Sequence, residues 1–256
     1  MDIDACLERI NYRAGTDPTL ETLRALQLAF VYNVPFENLD IHLGNKIVLS
    51  NEWIYQKIVQ GRRGGFCFEC NALFNNMLTE LGFEVSYVAA IMQTETSMGL
   101  EFEHMALLVR LDKGHYLVDV GNGQSCLEPM LLDDDKVVSH ESIEYKTGVL
   151  KDRKALYLRN KNEDWKPRFS FSMTQRELTE YEELCALTQV APESIFTQNR
   201  ITTLAKPEGR VTLVDRELEI HSRAQIEKRT LQSAEEIDSV LKDIFGISLE
   251  FVPEHW

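Results

Sequence analysis

Residues 62–71 read Arg-Arg-Gly-Gly-Phe-Cys-Phe-Glu-Cys-Asn (RRGGFCFECN), and how this stretch is read decides the fold. From Cys67 onward, Cys70, Leu73, Phe74, Met77, Leu78 and Leu81 recur at three- and four-residue spacings, and Gly82 follows. Such a stripe is one face of a helix, and a glycine just past it is a stop signal. Cys67 therefore stands at a helix N-terminus, where free amides and the positive end of the helix dipole favour a thiolate. Gly64 and Gly65 are expected to let the backbone turn sharply and to leave room for a ligand beside the thiol. Four roles are open to Cys67: a structural thiol, half of a redox pair with Cys70, a metal ligand, or a nucleophile.

The rest of the chain weighs on that choice. A redox C-x-x-C motif follows a strand, whereas residues 53–65 (WIYQKIVQGRRGG) read as helix and glycine turn. A structural zinc site needs four ligands, and no second closely spaced Cys or His pair exists, so no metal is expected. Cys70 is then a buried helix residue. A nucleophile requires a base. Of six histidines, His104 opens the apolar strand 104–111 (HMALLVRL), while His42, His115, His140, His221 and His255 fall in apparent loops, strand ends or the tail. Asp119, in YLVDVGNG (116–123), ends the next strand, close enough in an antiparallel pair to hold His104 in one tautomer and to stabilise it once charged. Cys67, His104 and Asp119 form a candidate triad.

Around this centre the 256 residues contain no apolar run long enough to span a bilayer, and 44% hydrophobic with 27% charged content is ordinary for a globular protein. The net charge of −14 repels polyphosphate and anionic lipid, so neither nucleic acid nor membrane is an expected partner. Five dilute, odd-numbered cysteines imply no disulfide framework, and the first residues lack a secretory signal pattern, which together place the protein in the cytoplasm. Helices are expected at 19–33, 51–60 and from Cys67, followed by short β-rich runs at 84–93, 104–111, 115–121, 155–160 and 168–173. A capping box at Thr174-Gln-Arg-Glu177 should open a helix to about Leu187; residues 209–222 read as a hairpin, and Ser233 caps a last helix. The fold class is α+β, in three parts: a helical bundle with the cysteine (1–83), an antiparallel β-barrel with the histidine and aspartate (84–190), and an α/β lid (191–256).

With these residues in place, the chain resembles the arylamine N-acetyltransferase family. RRGGFCFECN resembles its nucleophile signature, VPFENLDI (34–41) its N-terminal signature, His104-MALLV its histidine strand, VDVGNG its aspartate turn, and residues 194–213 (SIFTQNRITTLAKPEGRVTL) the start of its third domain. The resemblance implies a papain-like Cys-His-Asp site and acetyl-CoA as cosubstrate. It also implies ping-pong transfer of acetyl through a cysteine thioester to an arylamine, arylhydrazine or N-hydroxyarylamine. Phe36 would line the pocket. Two positions depart from the family pattern: Asn122 and Cys126 stand where aromatics border the acceptor pocket. Lys206 and Arg210 are candidates for the CoA diphosphate. A cysteine hydrolase or acyltransferase with a different acyl donor keeps the same triad, and a non-catalytic binding protein keeps only the fold.

Overall fold

Helices α1 (Ile3–Arg9), α2 (Leu20–Asn33), α3 (Leu39–Leu43), α4 (Asn51–Tyr55) and α5 (Cys67–Glu80) occupy the first eighty residues. The computed structural model describes residues 1–95, 97–124, 126–140, 143–222 and 225–256. Thr19 and Ser50 cap α2 and α4, each side chain accepting a hydrogen bond from an amide three residues on. Leu23, Leu26 and Phe30 of α2 are fully buried against α5, the Phe30 and Phe74 rings meeting edge to face with centroids 5.2 Å apart. Glu69 folds back to accept from the Phe66 amide at 3.1 Å, which fixes the start of α5, and Gly82 supplies the left-handed turn past its end.

Strands β2 (Glu84–Met92) and β3 (His104–Leu111) are the wall between two cores. Met105, Leu107 and Val109 of β3 pack into the helical core, while Ala106 and Leu108 point into the barrel. Burial on both faces is why HMALLVRL reads as an unbroken apolar run. β4 (Gly114–Val118), β5 (Met130–Leu131), β6 (Val138–His140), β7 (Ile143–Leu150), β8 (Arg153–Asn160) and β9 (Lys166–Phe171) complete an antiparallel sheet in the order β5-β4-β3-β2-β9-β8-β7-β6. Its ends curl together, and the Thr147 hydroxyl on β7 donates to the Leu131 carbonyl on β5 at 3.1 Å.

The expected helix from Thr174 begins later. The Arg176 amide instead donates to the Tyr87 carbonyl at 3.1 Å, keeping the chain extended beside β2. Glu177 is the cap, with Glu180 reaching back to its amide at 2.7 Å; a 3-10 turn over Leu178–Tyr181 then leads into α6 (Glu182–Thr188). Tyr181 and Cys185 bury themselves in the helical core, so this segment packs with the first unit and not with the barrel.

Past α7 (Ile195–Gln198) a second sheet holds β10 (Ile201–Lys206), β11 (Gly209–Val214), β12 (Glu217–Ser222) and β13 (Ile226–Thr230), covered by α8 (Ala234–Asp243), whose cap is Ser233. Its edge is completed by β1 (Phe36–Glu37), donated from the first unit, with Phe36 opposite Thr203. Gly64 and Gly65 serve this junction, not ligand access. Neither has a positive φ, the left-handed residue of the loop being Arg62 at φ 51°. The Glu37 amide donates to the Gly65 carbonyl at 3.0 Å, and a Cβ on Gly64 would lie 2.0 Å from the Pro35 carbonyl oxygen. Gly64→Ala is therefore expected to cost about 2 kcal/mol or more, because backbone and not a flexible side chain must move; a denaturant midpoint unchanged from the parent protein would contradict this packing.

Candidate active site

Cys67 is the first residue of α5, and the backbone amides of Met105 and Phe68 lie against its sulfur, favouring the thiolate. His104 precedes Met105 at the start of β3, so the strand that supplies an amide to the sulfur also supplies the imidazole. His104 Nε2 donates to Asp119 Oδ2 at 2.9 Å, which leaves Nδ1 as the ring nitrogen able to take a proton. Asp119 follows β4, one strand over from β3. Its pKa is lowered: burial pushes it up, but His104, Asn71 and the Gly121 amide together outweigh burial.

Asn71, which the sequence reading passed over, connects these parts. It lies one helical turn beyond Cys67 on the same face of α5. Its Nδ2 donates to the Met105 carbonyl at 2.8 Å and to Asp119 Oδ1 at 3.0 Å, and its Oδ1 accepts from the Val120 amide at 3.1 Å. The approach is close: a Cβ on Gly121 would lie 2.7 Å from Cys67 Cα. The signal in the sequence is an asparagine four residues past Cys67, on the same helical face as the nucleophile.

The electrostatics disfavour a lone thiolate. Burial and then the Asp119 charge push the Cys67 thiol well up, so its proton is not readily lost to solvent. Transfer to His104 is different, because it leaves the net charge of the site unchanged while Asp119 attracts the imidazolium formed. Beneath α5 lies a buried charge cluster. Lys57 Nζ is 2.7 Å from Asp40 and 2.8 Å from Glu69, and Arg63 is 2.8 Å from Glu37 and 3.2 Å from Asp40. Burial raises Glu69 to about 7 in spite of Lys57. Cys70 is fully buried, its thiol donating to the Gly65 carbonyl at 3.1 Å, so it faces structure and not the site.

Cys67 and His104 open onto a cavity of about 900 Å³, between the bundle, the barrel and the second sheet. Phe36, Asn122, Lys206 and Arg210 line it as well, so the structure brings these expected residues together. Lys206 also donates to the Ile244 carbonyl at 3.3 Å, at the end of α8, and Arg210 donates to Thr203 Oγ1 at 3.2 Å. Cys126 is the exception. It packs in the barrel core with Val88, Leu117 and Met130, its carbonyl accepting from Gln27 at 2.8 Å, and it does not line the cavity. Phe196 and Arg168, not singled out in the sequence, do line it. The Phe196 ring packs on those of Phe36 and Phe66 with centroids 6.0 and 5.8 Å away.

Replacing Asn71 by alanine removes a donor from the buried Met105 carbonyl and from Asp119 Oδ1, which keeps only the Gly121 amide, and takes the acceptor from the Val120 amide. Asn71→Ala is expected to destabilise the fold by about 2–4 kcal/mol and to slow alkylation of Cys67 in the protein that remains folded. A loss below about 0.5 kcal/mol by chemical denaturation would show that the helix and the strands are positioned by something else.

Comparison with known proteins agrees with this geometry. A family model described as N-acetyltransferase matches residues 19–253. Arylamine N-acetyltransferase 1 of Homo sapiens is 34% identical, with all of this chain and 98% of that protein covered. The solved structure of Mycobacterium marinum arylamine N-acetyltransferase superposes with a TM-score of 0.90 at 32% identity, covering 99% of this chain and 96% of that one. The same enzyme in complex with CoA gives 0.87 at 32% identity over 96% and 93%. Matched over its whole length in sequence and in fold, this chain belongs to the arylamine N-acetyltransferase family.

Proposed function

We propose that the protein transfers acetyl from acetyl-CoA to an arylamine, arylhydrazine or N-hydroxyarylamine, with Cys67 as nucleophile, His104 as base and Asp119 as the carboxylate that orients it. The observation that carries this reading is one cavity lined by Cys67 and His104, with Asp119 held 2.9 Å behind the imidazole. In the first step the Cys67 sulfur, its proton passed to His104, attacks the thioester carbonyl; the new S–C bond forms, the bond to the CoA sulfur breaks, and His104 returns the proton to that sulfur. In the second, the amine nitrogen attacks the Cys67 thioester, His104 takes a proton from the nitrogen, and the Cys67 thiolate leaves. The Phe36 and Phe196 rings, the latter backed by buried Phe66, give the cavity an apolar side suited to an aryl group.

In the proposed division of this work, residues 1–83 supply the thiol, the barrel strands of 84–190 the base and its carboxylate, and 191–256 close the cavity over them, while the α6 segment of 84–190 packs with the first unit. Lys206 and Arg210, on the rim formed by β10 and β11, are the proposed partners of the CoA phosphates. All five cysteines are free thiols, which suits a reducing compartment, and a cytoplasmic placement is proposed with them. Among the described residues no helix is long and apolar enough to cross a membrane.

Intact-mass measurement after mixing with acetyl-CoA tests the scheme. One acetyl group on Cys67, discharged when an arylamine is added and absent from Cys67→Ser, is the expected result, since a hydroxyl is far less nucleophilic in a site arranged for a thiolate. Turnover by a folded Cys67→Ser protein would overturn the assignment.

A further inference from the structure

β13 (Ile226–Thr230) is the outer strand of the second sheet, and every one of its residues is exposed. At the opposite edge the outer side of β1 is occupied, Phe36 bridging to Gly65, but among the described residues no strand lies beyond β13. Natural edges are usually bulged, covered or interrupted by proline, because unpaired backbone recruits another chain. β13 uses none of these devices. It pairs with β12 in unbroken register, from His221 opposite Ile226 to Glu217 opposite Thr230, and contains no proline. What it carries instead is charge, in the order Glu227-Lys228-Arg229.

The direction of its backbone groups follows from the ladder. Ser222 and Gln225 exchange both amide-to-carbonyl hydrogen bonds, at 3.0 and 3.3 Å, and the Leu231 amide donates to the Arg216 carbonyl at 2.8 Å. Alternation from these pairs turns the backbone groups of Glu227 and Arg229 toward β12, and those of Ile226, Lys228 and Thr230 outward. The Thr230 carbonyl accordingly accepts from the exposed Gln232 side chain at 2.8 Å, a contact that another strand can replace. A second copy laid antiparallel on this edge must match outward residues with outward residues. The two-fold registers that keep most of the strand paired are then centred on Glu227, Lys228 or Arg229. Centring on Glu227 or on Arg229 sets that residue against its own like charge. Centring on Lys228 instead sets Glu227 opposite the partner's Arg229, twice over by symmetry, as non-hydrogen-bonded pairs in which side chains stand closest. Lys228 meets the partner's Lys228, but each is already paired with a Glu219 carboxylate 2.7 Å away on β12. The same register closes about six backbone hydrogen bonds and sets Ile226, 56% exposed, beside the partner's Thr230. We infer that β13 is a dimerisation edge, joining the five-stranded sheets of two copies into one through the Glu227 and Arg229 pairs.

Each copy carries a net charge of −14 and one strand pair buries little surface, so the dimer is expected to be weak, with a Kd of about 10–100 µM at about 0.15 M salt. Sedimentation equilibrium of the full chain from about 5 to 500 µM brackets that range. Wild type should show a reversible monomer–dimer equilibrium. Glu227→Arg and Arg229→Glu should each weaken it about tenfold or more, because each sets like charges opposite in both pairs. The double exchange Glu227→Arg/Arg229→Glu should restore the wild-type Kd to within about threefold, which a frayed strand or a mere change of net charge would not do. Neither residue lines the cavity, and both are exposed, so the thermal midpoint of each variant should stay close to that of the wild type. A wild type that stays monomeric throughout overturns the inference, and the edge is then blunted by its charges or receives a different chain. A dimer whose Kd ignores the single reversals, or is not restored by the exchange, also overturns it, because the copies then meet elsewhere or in another register.

Discussion

The side-chain amide of Asn71 is the contact on which the arrangement of the site depends. The helical bundle and the β-barrel have separate apolar cores that meet at β2 and β3. Apolar packing holds such units together without fixing their relative position to a fraction of an ångström, because it is non-directional. Hydrogen bonds are directional, and an amide offers both donors and an acceptor from one plane. Asn71 uses both, tying α5 to the Met105 carbonyl, Asp119 and the Val120 amide. Asn38 does the same for the second sheet. Its Nδ2 donates to the Phe196 and Asn199 carbonyls at 2.9 and 2.8 Å and its Oδ1 accepts from the Ile201 amide at 2.7 Å, which brings β1 and α7 to the cavity mouth.

With positions fixed, charge decides the chemistry. The first turn of α5 rests on a buried cluster of three carboxylates and two cations, so the helix end that carries Cys67 is anchored by ion pairs whose rupture would leave uncompensated buried charge. Above it, burial and Asp119 both oppose an isolated thiolate. Asp119 nevertheless belongs in the site, because its attraction for an imidazolium on His104 is exerted through a 2.9 Å hydrogen bond. The thiol is thus activated by passing its proton inward to His104 and not by releasing it to water.

Much of this was legible in the sequence, for reasons that differ by element. α5 and β3 could be read because one apolar stripe and one apolar run have few alternative explanations, and the hairpin of β11 and β12 because Val214-Asp215-Arg216-Glu217 turns within a β-rich run. Strands β6 and β7 escaped notice because they are short or half-exposed, with Lys146, Thr147 and Gly148 interrupting the alternation. The pairing of β1 with β10 spans more than 160 residues and rests on backbone contacts of Pro35 and Gly65 that no local pattern encodes. The Thr174 capping box was a valid local signal overridden by a tertiary hydrogen bond from Arg176 to Tyr87. Cys126 is expected at the pocket only because the resemblance puts an aromatic there, and its side chain instead packs in the barrel core. Arg168 reads in sequence as one more half-buried strand arginine, and only its placement beside Asn122 and the cavity distinguishes it.

The central claim is that Cys67 becomes a thiolate by sharing its proton with a His104 that Asp119 holds in place. The pH profile of Cys67 alkylation tests it most directly, measured by peptide mapping after brief iodoacetamide pulses in wild type and in Asp119→Asn. The account expects the wild-type rate to stay high well below the free-thiol pKa of about 8.5, and the variant to lose that reactivity and rise only above it, as burial alone dictates. A wild-type profile that rises only at or above the free-thiol value, with Asp119→Asn indistinguishable from it, would contradict the account.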